Sequence, residues 1–318
     1  MRSYALNRRA LTGAMLATTA AMVAGRASAD AKILIGHSQP NLGWPYIAAV
    51  SRSLEAEAKA KGVELVTLSA NGDIAKQSSD IATLINRKVK VLLVTSLDGN
   101  AVVPALRRAK AAGIPILAVS NEPSDAGREL LAAYTGPDDY VQGRLAAELL
   151  HEALGGKGGI GIIEGSPGQS TTLLRTKGLK DRLGELQSLI SVIAVQTADW
   201  NPVKAKDVAQ AFLTAHGKAL AGLFAQDDNS GAAAAEVFKS QGRGDIKVVG
   251  TGGTKNGLAA IRSGLMYGTM DQSPTADAKQ ALALALAIAS GQMPKEKRNI
   301  IPMPKITAAN VDSFRGEW

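Results

Sequence analysis

Lys32-Ile33-Leu34-Ile35-Gly36 is followed by an amphipathic stretch from Pro45 to Lys61, stopped by Gly62, and then by Val63-Glu64-Leu65-Val66-Thr67-Leu68. The two short runs are apolar without a break and rich in β-branched residues, as strands are when both of their faces are buried. The longer stretch uses Ala, Leu, Lys and Glu, which favour helix. A strand, a helix and a second strand in this order form a parallel unit, and the pattern continues in both lengths. A helical stretch from Ile74 to Lys88 leads to Val91-Leu92-Leu93-Val94. Asp98 marks the expected start of a further helix, which Gly113-Ile114-Pro115 ends before Ile116-Leu117-Ala118-Val119. After Tyr134-Thr135-Gly136-Pro137 the rhythm restarts with a helix from Tyr140 to Leu154. The run Gly155 to Gly159 reads as a flexible linker into the strand Ile160-Gly161-Ile162-Ile163. Further strands are expected at Val192–Val195, Ala221–Phe224 and Ile246–Val249, with helices starting near Thr171, Pro202, Ser230 and Thr254. Two such sets predict an α/β protein of two doubly wound parallel-sheet lobes.

The size agrees. At 318 residues the chain is too long for one ordinary core and suits two. There is no Cys, which excludes disulfides and thiolate chemistry, and His37, His151 and His216 are too scattered for metal-type spacing. No metal or other cofactor is expected. The net charge of +8 is partly terminal: residues 1–29 hold Arg2, Arg8, Arg9 and Arg26 and no acid, and without them 32 basic and 28 acidic residues remain. Lys and Arg are dispersed, so no nucleic-acid footprint is visible. Residues 1–29 read as a signal peptide, with a basic start, an apolar stretch too short to span a bilayer, and Ala27-Ser28-Ala29 before Asp30. The pair Arg8-Arg9 resembles a twin-arginine signal. The mature protein is therefore expected to be exported.

In doubly wound sheets ligands bind beyond the carboxyl ends of the strands. Those turns here carry Ser38 to Tyr46, Ser120-Asn121-Glu122, Glu164-Gly165-Ser166, Thr197-Ala198-Asp199-Trp200, Gln226-Asp227-Asp228-Asn229 and Thr251-Gly252-Gly253. Trp44 and Trp200 sit on them, where a large aromatic is useful as a plate against a ligand. Arg175, in the helix after Ser166, is a candidate bidentate donor to ligand oxygens. Catalytic and nucleotide motifs fail. Gly159, Gly161 and Gly165 follow a helix and have the wrong spacing for a dinucleotide fingerprint, and there is no phosphate-binding G-x-x-x-x-G-K-[ST] loop. No G-x-S-x-G elbow exists, and Pro167 after Ser166 removes the N–H an oxyanion hole would use. Asp227 and Asp228 are adjacent and point apart, which fits a helix cap with one ligand contact better than an acid–base pair.

In order along the chain, these turns resemble the periplasmic binding proteins for sugars, of the ribose- and galactose-binding type. The segments that carry the resemblance are Gly43-Trp44-Pro45-Tyr46, Asn71-Gly72-Asp73 with Gln77, and Gly113-Ile114-Pro115. In the second half they are Gly165-Ser166 with Arg175 and Gly178-Leu179, then Ala198-Asp199-Trp200 and Leu223-Phe224-Ala225-Gln226-Asp227-Asp228. Val248-Val249-Gly250 and Thr269-Met270-Asp271-Gln272-Ser273-Pro274 complete the set. The resemblance implies the type I periplasmic binding protein fold, two lobes joined by a three-strand hinge that close on one small ligand. It implies lobes of residues 30–136 with 274–300 and 137–273 with 301–318. Matched position by position, ligand contacts fall on Trp44, Tyr46, Ser120, Asn121, Arg175, Trp200, Asp227 and Gln272.

Two positions depart from the family pattern. Ser120 stands where an acid is usual, and Gly252 replaces the Asp of the turn after Val248-Val249-Gly250. Both losses argue against ribose or a common hexose and leave a small polyol, a modified or deoxy sugar, or a charged ligand. The implied role is a periplasmic, monomeric solute-binding protein, not an enzyme, that delivers a small sugar or polyol-like ligand to an ABC-type permease. The alternatives are a ligand sensor for a chemoreceptor or histidine kinase, and a secreted α/β enzyme. A repressor core of the same fold would need a helix-turn-helix where residues 1–29 stand. Exported protein should begin at Asp30, which intact-mass measurement checks; a retained Arg8-Arg9 segment would contradict the signal reading.

Overall fold

The structure is a computed structural model and describes Met1 and residues 33–318; the expected signal peptide over residues 1–29 and the cleavage point before Asp30 lie outside the described residues. The first half runs β1 (Leu34–Gln39), α1 (Pro45–Ala60), β2 (Glu64–Ser69), α2 (Ile74–Asn86), β3 (Val91–Val94), α3 (Val103–Ala111), β4 (Ile116–Val119), α4 (Asp125–Arg128) and β5 (Ala133–Gly136). Then come α5 (Asp139–Leu154), β6 (Lys157–Glu164), α6 (Ser170–Glu185), β7 (Leu189–Thr197), α7 (Pro202–His216), β8 (Leu220–Ala225), α8 (Asp228–Ser240), β9 (Lys247–Val249), α9 (Lys255–Arg262) and β10 (Gly268–Met270). The chain ends with α10 (Pro274–Ala289), β11 (Arg298–Ile300) and β12 (Lys305–Thr307).

The strands form two six-stranded sheets, ordered β11-β5-β4-β3-β1-β2 and β12-β10-β9-β8-β6-β7. All neighbours are parallel except β10 and β12. The order reverses beside β1 in one sheet and beside β6 in the other, and a doubly wound sheet opens its ligand crevice at that reversal. Helices cover both faces of each sheet, as the unbroken apolar strands require. The first sheet's core is aliphatic, for example Ile35, Leu54, Leu93 and Leu282 on one face and Leu84, Leu92 and Leu106 on the other. Phe212, Phe224 and Phe238 are buried in the second. The chain passes between the sheets three times, after β5, after β10 and between β11 and β12. These crossings are tied together: Ile301 N–H donates to Gly136 O and Asp271 N–H to Pro304 O.

Helix starts follow their caps. Asp73, Asp138, Asn201, Asp227, Thr254 and Ser273 each accept a backbone N–H at the first turn of the helix they precede. Asp98 differs from its expected role. Its carboxylate accepts from Asn100 N–H and Ala101 N–H, closing a turn, and α3 begins only at Val103. The glycine run is also not purely a linker: β6 starts at Lys157, and a side chain on Gly159 would overlap the carbonyl oxygen of Ala219 beside it.

Two glycines position the next section's residues. A Cβ on Gly143 of α5 would overlap the backbone carbonyl of Arg175 on α6, and a Cβ on Gly178 would overlap the carbonyl of Tyr140. The two helices therefore pack backbone against backbone, near enough for a side chain of one to pair with a side chain in the first turn of the other. Gly143→Ala or Gly178→Ala is expected to cost about 1–3 kcal/mol by overpacking. Urea denaturation should show a lowered midpoint for each, and an unchanged midpoint would mean the helices separate freely.

Candidate functional site

A void of about 560 Å³, its mouth included, lies between the lobes, and all eight residues expected at the site line it: Trp44, Tyr46, Ser120, Asn121, Arg175, Trp200, Asp227 and Gln272. The first lobe supplies two turns. After β1, the side chain of Asn41 accepts from Gly43 N–H and its carbonyl from Trp44 N–H, so the loop delivers Trp44 to the N-cap of α1 and Tyr46 to its first turn. After β4, Ser120 takes a left-handed backbone (φ 61°) and is buried, its carbonyl accepting from the Tyr134 hydroxyl. Asn121 is tied down by donating to Ser96 O.

The second lobe supplies Arg175, which is only 4% exposed. Its Nε donates to Asp139 Oδ1 at 3.0 Å, and one terminal nitrogen lies 3.0 Å from the same oxygen and 2.9 Å from Gln272 Oε1. The other terminal nitrogen donates to Gln226 O. A guanidinium has five N–H groups, and three of them donate to Asp139, Gln226 and Gln272, which leaves one N–H on each terminal nitrogen. Burial outweighs the Arg175 charge and pushes the Asp139 carboxyl up to about 6.

Asp199 and Trp200 both adopt positive φ (53° and 59°), costly for residues with side chains. The turn is held by what the indole touches. Trp200 Nε1 donates to Gln169 Oε1 at 2.8 Å, the ring lies against Gly165 where any Cβ would overlap it, and the Arg175 guanidinium sits 6.0 Å from its centroid. Asp227 caps α8 through Ser230 N–H, and burial raises its carboxyl above the ordinary range. Its neighbour Asp228 points away from the void, as expected. It accepts from Thr269 Oγ1 and Thr254 N–H, and burial pushes it up to about 7.

The lobes touch across the void's rim. Gly99 N–H donates to Gly168 O, Glu122 N–H to Ser170 Oγ, and Thr171 Oγ1 to Asn121 Oδ1. This is a closed cleft between two hinged lobes. A profile described as "Periplasmic binding protein domain" matches residues 35–293. The chain belongs to the periplasmic binding protein family. It is a solute-binding protein rather than an enzyme, with the type I fold. Among its relatives, a xylitol-binding protein of Mycolicibacterium smegmatis is 34% identical over 269 residues, covering 84% of this chain and 75% of that protein. The ribose import binding protein RbsB of Bacillus subtilis is 30% identical over 258 residues, covering 81% and 82%. A solved ABC transporter solute-binding protein from Mycobacterium smegmatis with bound glycerol is 29% identical, with a TM-score of 0.82 over 89% of this chain and 96% of that one.

The void of this binding protein is also lined by residues that the turns did not disclose. Trp318, far from those turns in sequence, lines the void. Its ring meets Tyr46 edge-on with centroids 5.2 Å apart, and its Nε1 lies 3.3 Å from Gln272 O. The chain end is held there because Lys255 N–H donates to Trp318 O and Glu317 accepts from Ser273 Oγ and Thr275 N–H. Trp318 also accounts for Gly252. That residue has φ 140°, and a Cβ on it would sit 2.8 Å from Trp318 Cζ2. The space beside the turn is filled by indole, so an Asp side chain there would meet the ring. Gln169, Thr171 and Thr251 line the void too, and Gln169 Nε2 and Thr251 Oγ1 are buried without protein partners.

Gly252→Asp is expected to destabilise the protein by roughly 1–3 kcal/mol through backbone strain and overlap with the indole. In the double variant with Trp318→Ala part of that loss should be recovered, a coupling that thermal denaturation of all four proteins measures. Strict additivity would show that the indole does not occupy the Gly252 side-chain space.

Proposed function

We propose that this protein captures a small uncharged polyol, or a compact sugar, between its lobes and hands it to an ABC-type permease. The observation that carries the reading is the compensated charge of Arg175. With Asp139 paired to it and most of its N–H groups already committed, the void presents no free positive charge for an anionic ligand. What remains are the buried Asp227 carboxyl and neutral donors and acceptors, including Gln169 Nε2 and Thr251 Oγ1, beside aromatic walls. Apolar walls with a few placed polar groups suit a carbon chain bearing hydroxyls. Trp318 and the absence of an acid at Gly252 and Ser120 favour a shorter ligand than a hexopyranose. The relatives named for xylitol and ribose, and the one solved with glycerol, agree with that class.

On this reading Trp44, Tyr46, Ser120, Asn121, Arg175, Trp200, Asp227 and Gln272 contact the ligand. The lobes comprise residues 30–136 with 274–300 and 137–273 with 301–318, and each supplies half of the contacts. The protein is exported by the signal peptide over residues 1–29, cleaved before Asp30, and works in the periplasm as a monomer opposite a membrane permease.

Thermal shift with xylitol, glycerol, D-ribose and myo-inositol tests the class, since a ligand that binds only the folded state raises its melting point. At a concentration about a hundred times Kd the gain is about 2.7 kcal/mol. Small-angle scattering should show a smaller radius of gyration with the bound ligand than without it. Trp44→Ala, Trp200→Ala and Arg175→Ala should each weaken binding, by roughly 1–3 kcal/mol for lost aromatic contact or an unsatisfied ligand oxygen. Undiminished affinity in all three would place the site elsewhere.

A further inference from the structure

Ser120 stands where the family resemblance calls for an acid, yet a carboxylate reaches the same place from another element. Asp277, in the first turn of α10, is fully buried. Its Oδ2 accepts from Ser120 Oγ at 2.6 Å and from the Tyr46 hydroxyl at 3.0 Å. Asp277 does not line the void; Ser120 and Tyr46 do. Each of these hydroxyls owns a single proton. Once that proton is committed to Asp277, only oxygen lone pairs remain for the void. Two hydroxyls that could have donated or accepted are thereby fixed as acceptors.

We propose that Asp277 is the specificity-determining positioning residue of this site: it orients Ser120 and Tyr46 so that the cleft selects ligands presenting two O–H donors to the first lobe. The inference rests on the polyol reading above and names the feature by which a polyol is told from its analogues. A ligand with an ether, carbonyl or carboxylate oxygen at that position meets lone pair against lone pair. A deoxy analogue leaves one of these buried acceptors unpaired, which costs more than the lost bond alone. The acid missing from the turn after β4 is thus supplied one atom further back, through a hydroxyl relay.

The electrostatic setting makes the relay sensitive to pH. Asp277 Oδ1 has no protein partner, and burial pushes the carboxyl up to about 7, the Ser120 and Tyr46 hydroxyls opposing that rise and the Asp139 charge on α5 adding to it. Asp139 is in turn paired with Arg175. On α1, which packs along α10, Glu57 faces Lys279 at the exposed edge. When Asp277 takes up a proton it becomes a donor itself, one hydroxyl turns to donate into the void, and the selection reverses. Affinity for a polyol should therefore fall as pH drops through the neutral range.

The test uses the mature protein, xylitol and a singly deoxygenated xylitol, by calorimetry from pH 5.5 to 8.5. Wild type should prefer xylitol and bind it about tenfold less tightly at pH 5.5 than at pH 8.5. Asp277→Asn should lose about 10- to 100-fold in affinity, lose most of the preference over the deoxy analogue, and lose the component of the pH profile centred near neutrality. Ser120→Ala keeps the carboxylate and removes one acceptor, so it should lose discrimination even if Asp277→Asn fails to fold. Unchanged discrimination and pH slope in both variants would overturn the proposal. A ligand-free arm separates it from the polyol reading: carbon NMR of the Tyr46 ring should follow the Asp277 carboxyl titration in wild type. If no polyol binds while that coupling is present, the relay stands and the polyol class is wrong; if the coupling is absent, the relay is wrong whatever binds.

Discussion

A guanidinium held almost entirely out of water cannot stand alone, and the cost of burying Arg175 organises the second lobe. Asp139 answers it from the first turn of α5, a backbone carbonyl answers from the end of β8, and Gln272 answers from the crossing after β10. Three separate parts of the chain are thus fixed around one cation. The pair is reachable only because α5 and α6 meet through Gly143 and Gly178. Helix packing, hinge position and ligand chemistry meet at this one group. On the reading proposed above, its neutralised charge makes the pocket fit for an uncharged solute.

The lobe architecture was legible because it is written in local periodicity. Unbroken apolar runs such as Val91–Val94 and Ile116–Val119 are strands wherever they occur between amphipathic stretches. The turns were legible for the same reason: a strand's end locates its loop, and the loop names Trp44, Ser120 or Trp200. Asp277 and Trp318 were not, since nothing in the sequence near either residue marks it as part of a cleft. Asp277 lies on the helix after a crossing, one turn beyond its Ser cap, and reads as an ordinary helix-start acid. Trp318 reaches Tyr46 only because Lys255 and Ser273, far from it in sequence, hold the tail in place. The pattern identified Arg175 but could not count how many of its protons were already committed; that depends on Gln226, Asp139 and Gln272 together.

Across the rim of the closed cleft the lobes meet through few direct contacts. Their rim contacts are a few neutral hydrogen bonds, such as Thr171 to Asn121 and Glu122 N–H to Ser170. Net contributions of such bonds are about 1 kcal/mol each, so a bound solute that touches both lobes can shift the balance between open and closed forms.

The three crossings have a consequence for how the protein acquires its shape. Neither sheet is built from one continuous piece of chain: β11 completes the first only after the whole second sheet apart from β12 has been passed, and α10 returns to pack on α1. A fragment ending near residue 136 would leave the apolar face of β3, β4 and β5 uncovered. The pairing that finishes the first sheet joins residues more than a hundred positions apart, Arg298 with Tyr134, and contacts of such long range make folding slow. The strand that completes the first sheet therefore cannot be placed until the chain has made its crossings at the hinge.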